Sequence, residues 1–163
     1  MKSIALPYIG EINLEKLDEC YSTQATIPNS VELNIFLWDK TIDLESLEKI
    51  KTVLENISKY DSLNKAYLLQ EFMTGINTKE YLEFHLSQIP VLGECFIEEK
   101  VNEAEPIFHV FSKLYLYKIW FSVYANKEIE IVFDYSVGVD VTQYKLAIKR
   151  KLSGAFSSIT MES

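Results

Sequence analysis

The sequence predicts one α+β domain spanning residues 1–163: a single antiparallel β-sheet, made of an N-terminal hairpin and a C-terminal meander, with a helical middle packed on one face. Three observations predict it. Side chains alternate with period two from Tyr21 to Asp39, change to spacings of three and four after Thr41, and return to period two from Tyr115. Sequential strands on short connections pair antiparallel, so the last third reads as a meander.

In chain order, the segment around Tyr8 to Ile12 predicts a short opening strand. Tyr21, Thr23, Ala25 and Ile27 alternate up to Pro28-Asn29-Ser30, whose residue types suit a turn. Val31, Leu33, Ile35 and Leu37 then point one way, and Glu32, Asn34, Phe36 and Trp38 the other. Leu44, Leu47, Ile50, Leu54 and Ile57 line one helical face, with Asp43 placed to cap the first turn and Glu45–Lys49 an i,i+4 pair outside. A second helix is expected over Asp61 to Thr74, stopped by a left-handed Gly75. A third begins at Asn77, where Asn77-x-x-Glu80 resembles a capping box, and ends near Pro90. Residues 91–106, with Glu94, Glu98, Glu99, Glu103 and Glu105 crowded around Lys100, read as an exposed helix or loop. A short helix over Ile107 to Lys113 follows. Strands are then expected at Tyr115–Tyr124, Ile129–Tyr135, Tyr144–Lys149 and Phe156–Met161, with turns at Asn126-Lys127, Gly138 and Ser153-Gly154.

A chain of 163 residues is long enough to bury a core without a metal or disulfide staple. The amino terminus stops short of an apolar core of signal-peptide length, and no run approaches the ~20 apolar residues of a membrane helix. Cys20 and Cys95 are far apart and form no C-x-x-C pair, which suits a reduced, cytoplasmic setting. The net charge of −8 argues against a nucleic-acid partner, since phosphate neutralisation needs clustered Lys and Arg. The charge is uneven: residues 1–105 carry 19 acids against 9 bases, and residues 106–163 carry 5 against 7. An acidic surface of this kind either meets a basic partner or simply keeps the protein soluble.

The chemistry-bearing residues give no catalytic signature. There is no H-E-x-x-H, no G-x-S-x-G and no Gly-rich nucleotide loop, so no catalytic residue, cofactor or metal ligand set is assigned. His85 falls on the apolar stripe of the third helix and His109 among Phe108, Val110 and Phe111, both as packed histidines. A His85–Cys95–His109 metal site has no standard ligand spacing. Cys20 and Cys95 need an activating base to be nucleophiles. Asp134, followed by Tyr135 and a turn, is a candidate ligand or turn site. Asp134 either holds the turn, pairs with Lys145 or Lys149 on the next strand, or joins Tyr135 in a small-molecule or catalytic site.

The sheet face away from the regular core carries Phe36, Trp38, Leu116, Trp120 and Tyr124. Clustered Trp and Tyr dominate interface energetics, so Phe36, Trp38, Trp120 and Tyr124 are the candidate partner-binding residues. The alternative is that another segment covers them as a second small core. The expected partner is a basic protein, with a homodimer through the aromatic face as a further reading.

Pro7-Tyr8-Ile9-Gly10-Glu11-Ile12, Asn34-Ile35-Phe36-Leu37-Trp38, Asp134-Tyr135-Ser136-Val137-Gly138 and the closing Met161-Glu162-Ser163 together resemble a bacterial family, the domain of unknown function two-thousand-four. The resemblance spans nearly the whole chain in the same order, with Ile9 where the family commonly has Phe. It implies a bacterial cytoplasmic α+β protein without an established activity, and it carries over no catalytic residues.

Overall fold

The computed structural model describes residues 2–92 and 106–163. Along them run β1 (Ser3–Leu6), β2 (Gly10–Asn13), β3 (Cys20–Ile27), β4 (Asn29–Leu37), α1 (Leu44–Glu55), α2 (Ile57–Thr74), α3 (Asn77–Leu92), α4 (Pro106–Ser112), β5 (Tyr115–Val123), β6 (Ile129–Ser136), β7 (Lys145–Lys151) and β8 (Phe156–Glu162). The acidic stretch from Glu94 to Glu105, and Cys95 with it, lies outside the described residues.

Hairpin and meander join in one six-stranded sheet of order β3-β4-β5-β6-β7-β8. Four of its neighbouring pairs are antiparallel, as expected. The seam between hairpin and meander is parallel: Glu32 lies opposite Lys118 and Leu37 opposite Val123. Alternation is the same in either direction, so the pattern could not announce this. A parallel pair needs a long crossover, and the whole helical middle is that crossover. β1 and β2 form a separate two-stranded hairpin, with Ile4 opposite Ile12 and both buried. The expected opening strand is thus the second arm of that hairpin, entered through Tyr8 and Gly10 at positive φ.

Register fixes which side chains share a face. Leu33, Ile119, Phe133, Ile148 and Ile159 line up across the strands and are buried. Leu47, Ile50, Val53 and Leu54 of α1 with Ile57 and Leu68 of α2 belong to the same core. Asp43 caps α1 through Ser46 N–H at 2.8 Å, and Lys49 pairs with Glu45. Arg150, the chain's one arginine, also points to the helices. It donates from Nε to Asn64 Oδ1 at 2.7 Å and from Nη1 to Gly154 O at 2.6 Å, with Tyr60 and Tyr67 rings 5.5 and 5.3 Å from its guanidinium carbon. Stacking and a planar fork of donors let this cation sit buried between α2 and β7.

Four local expectations are corrected. α2 begins at Ile57 rather than Asp61, because Ile57 is itself a core residue and only Asn56 separates the two helices. Gly75 is extended (φ −113°, ψ −157°), not left-handed. The cause is Glu71, whose carboxylate folds over the break and accepts the amides of Ile76 (2.8 Å), Asn77 (2.8 Å) and Thr78 (2.6 Å). Glycine is needed for space, since a Cβ at residue 75 would collide with the Glu71 carboxyl. The same carboxylate replaces the expected Asn77 capping box as the cap of α3. The fourth correction is Leu116. The β5–β6 register slips between Leu116 and Lys118, so Leu116 faces the helices opposite Tyr135 and leaves the aromatic face.

Burial raises the Glu71 pKa, but the hydrogen bonds from Thr78, Ile76 and Asn77 outweigh it and hold the carboxyl below the ordinary range. A depressed carboxylate contributes stability above its unfolded pKa and loses it as pH falls through the folded one. Glu71→Ala is expected to cost about 2 kcal/mol at neutral pH. Urea melts should show that difference shrinking in acid, and Gly75→Ala, which displaces the same carboxyl, should follow the same trend.

Candidate functional site

The face of the six-stranded sheet turned away from the helices carries a transverse row of charge. Glu32, Lys118 and Asp134 are directly opposite one another on β4, β5 and β6, and Lys145 faces Glu162 across β7 and β8. Lys118 pairs with Glu32 at 3.2 Å, and Lys145 with Asp134 at 3.0 Å and Glu162 at 3.9 Å. Lys149 continues the pattern to Glu130 and Glu162. Trp120 lies among these charges, with Lys118 Nζ 5.2 Å and Lys145 Nζ 5.0 Å from its ring centre.

Asp134 is fully buried within this row. Burial pushes its carboxyl up from the ordinary value, and the Lys145 hydrogen bond and charge only partly reverse that. Its Oδ1 and the Trp120 Nε1 have no hydrogen-bond partner among the described residues. Tyr117, beside the bulge, has its hydroxyl pushed far up, first by burial and then by the Asp134 charge. Of the readings for Asp134, the geometry displays the cross-strand pair with Lys145.

Asp134 and Tyr135 do not converge. Neighbours on a strand point to opposite faces, and the Tyr135 hydroxyl donates to Asp61 Oδ1 at 3.0 Å on the helix side. A cleft of about 750 Å³ opens near the start of β5, lined by residues including Glu32, Lys65, Tyr115 and Tyr117, and neither Asp134 nor Tyr135 lines it.

The four aromatic candidates are brought together along one line. Asn34 is opposite Trp120 and Phe36 opposite Ser122 in the parallel seam, which sets the Phe36 and Trp120 rings edge to face at 6.2 Å. One step further, Trp38 N–H donates to Val123 O at 3.2 Å, so Trp38 and Tyr124 leave the strand ends side by side. Their rings are parallel within 5°, with centroids 6.5 Å apart. Phe36 and Trp120 are half-buried, whereas Trp38 is 65% and Tyr124 41% exposed. A shallow depression of about 630 Å³ at this corner is lined by Trp38, Tyr124, Asp39 and Glu128, among others. Neither Asp39 nor Glu128 has a salt-bridge partner among the described residues, although the nearby Lys40 and Lys127 do, in Glu19 and Asp43. Sequence reading did not single out Asp39 and Glu128. The signal available was their position, two residues past the end of β4 and one residue before the start of β6.

His85 is buried in α3, its Nδ1 2.7 Å from Tyr81 O, and burial lowers its pKa. It is a packed ring, tilted 40° against the Tyr81 ring with centroids 4.2 Å apart. Tyr81 ties that helix to the sheet by accepting Val137 N–H at 3.1 Å. Cys20 is exposed on β3, and partial burial of its thiol raises its pKa despite Lys118, the opposite of activation. Among the described residues no three His, Cys, Asp or Glu side chains are grouped to hold a metal, and no helix is long and apolar enough to cross a membrane. No family model, characterised protein or solved structure matches this chain.

The raised Asp134 pKa has a definite sign. The folded state holds that proton more tightly than the unfolded chain does, so stability falls as pH rises through the folded value. Asp134→Asn, which removes the buried charge, should leave the neutral-pH melting temperature unchanged or higher. Lys145→Met strands the charge and should cost about 3 kcal/mol. That loss should diminish in acid, as chemical melts at the two pH values would reveal.

Proposed function

We propose that the chain is a non-catalytic binding module whose Trp38–Tyr124 corner takes a Lys or Arg side chain of a basic protein partner. The observation that supports this most is the pairing of two exposed, parallel aromatic rings with two carboxylates, Asp39 and Glu128, that lack internal salt bridges. Aromatic faces and carboxylates free of salt bridges suit a cation twice over, through the ring quadrupole and through direct ion pairing, and Glu128, whose Oε2 accepts a hydrogen bond from Asn126 at 2.9 Å, keeps its charge. The net charge of −8 would speed the encounter with a basic protein. The rest of the open face is less suited, because its lysines and carboxylates already neutralise one another. Cytoplasmic location and membership of the resembled bacterial family belong to the same proposal.

The test is a tagged pull-down from the source cells at low and moderate salt, read by mass spectrometry. A stoichiometric basic partner should be recovered and should weaken with salt. Trp38→Ala should reduce its affinity by about 2 kcal/mol, roughly thirtyfold, and Tyr124→Ala should act in the same direction. Retention indifferent to salt and to both substitutions would sink the proposal.

A further inference from the structure

The six-stranded sheet ends in two edges, β3 and β8. An edge strand presents unpaired main-chain donors and acceptors, and proteins usually blunt it with charge, proline or a bulge. β8 has such devices. Its register slips against β7 between Lys149 and Arg150, and its Glu162 is engaged by Lys145 and Lys149. β3 has none. Its eight residues, Cys20–Ile27, include no charge and no proline, and they pair with β4 without a slip from Cys20 opposite Phe36 to Ile27 opposite Asn29.

One hydrogen bond fixes which groups point outward. Glu19 O accepts Leu37 N–H at 2.8 Å, so Glu19, Tyr21, Thr23, Ala25 and Ile27 turn their main-chain groups toward β4. By the alternation of an antiparallel ladder, Cys20, Ser22, Gln24 and Thr26 turn theirs away from the sheet. All four are exposed.

We propose that β3 pairs antiparallel with β3 of a second copy of this chain, about a two-fold axis at Thr23. Cys20 then faces the partner's Thr26 and Ser22 faces the partner's Gln24, and each facing pair exchanges two main-chain hydrogen bonds. Charge supports this occupant. A chain of net charge −8 resists its own copy, yet this register sets Glu19 opposite the partner's Ile27 and Asp18 opposite the partner's Pro28. No like charges meet. A two-fold axis normal to the sheet also puts both open faces, and both Trp38–Tyr124 corners, on the same side of one continuous sheet. Strand pairing over so short an edge buries little area, so the dimer is weak and concentration-dependent. This inference is independent of the proposed partner.

Sedimentation or light scattering of the full chain across a wide concentration range tests it. The mass should rise from 18.9 kDa toward twice that value. Gln24→Lys places two like charges diagonally across the axis and should weaken the dimer by about threefold while circular dichroism stays unchanged. Register is tested by Thr26→Cys in a Cys95→Ala background. The introduced thiol would lie opposite the partner's Cys20 at a Cα separation of about 5.5 Å, within disulfide range. Within one chain the same two residues are six apart on a strand, about 20 Å, too far to bridge. A covalent dimer from Thr26→Cys, and none from Ser22→Cys, is the expected result. A monomer at every concentration would overturn the proposal. So would a dimer that ignores Gln24→Lys and yields no Thr26→Cys link, or one that Ser22→Cys links instead.

Discussion

The parallel pairing of β4 with β5 is the constraint from which the rest of this architecture follows. Two neighbouring parallel strands cannot be joined by a turn, so everything between Leu37 and Tyr115 must travel from one end of the sheet to the other. The chain makes that journey through its helices, and α1 and α2 pack on the same side. One face of the sheet is therefore a core lined by Leu33, Ile119, Phe133 and Ile148. The other is left to side chains that must satisfy themselves. The hairpin can join the seam only through β4, which leaves β3 as a free border.

The two faces solve burial differently. On the helix side, apolar contact dominates, and the few polar groups are tied to specific partners: Arg150 to Asn64 and Gly154, Tyr135 to Asp61, Tyr81 to Val137. On the open side a strip of alternating charge lies across the strands, and long lysine stems cover the Trp120 ring and Asp134. Such a strip is closed to outside charge because each carboxylate already has its lysine. Among the described residues, aromatic surface and carboxylates without a salt bridge coincide where the strands end, at Trp38 and Tyr124.

Much of this was legible in the residues. Strand alternation placed Val31, Leu33, Ile35 and Leu37 on one face and Phe36 and Trp38 on the other, and helical spacing found the buried stripe of α1. The α+β class followed from the order of those periods. What the sequence hid were features set by tertiary geometry. Period two is blind to strand direction, so the parallel seam did not show. A single extra residue at the β5 bulge moved Leu116 to the core face, and no local pattern marks that slip. Gly75 had the look of a left-handed stop, but a carboxylate four residues earlier supplied the cap and demanded space instead. Asp134 and Tyr135, adjacent in the chain, are divided by the thickness of the sheet. The aromatic quartet was visible, whereas the lack of a salt bridge at Asp39 and Glu128 depends on where Lys40 and Lys127 go.

The crossover has a consequence for how the chain can fold. Hairpin and meander join strands that are close in sequence, so the entropy lost in closing their loops is small. The seam joins residues more than eighty positions apart, as with Leu37 and Val123, and the cost of closure grows with the length of free chain between them. A helix advances only about 1.5 Å per residue, less than half the rise of an extended strand. Each helix formed before closure therefore shortens the span that must be searched. In this architecture the helices are a cover for the core and also a means of reeling the two halves of the sheet together.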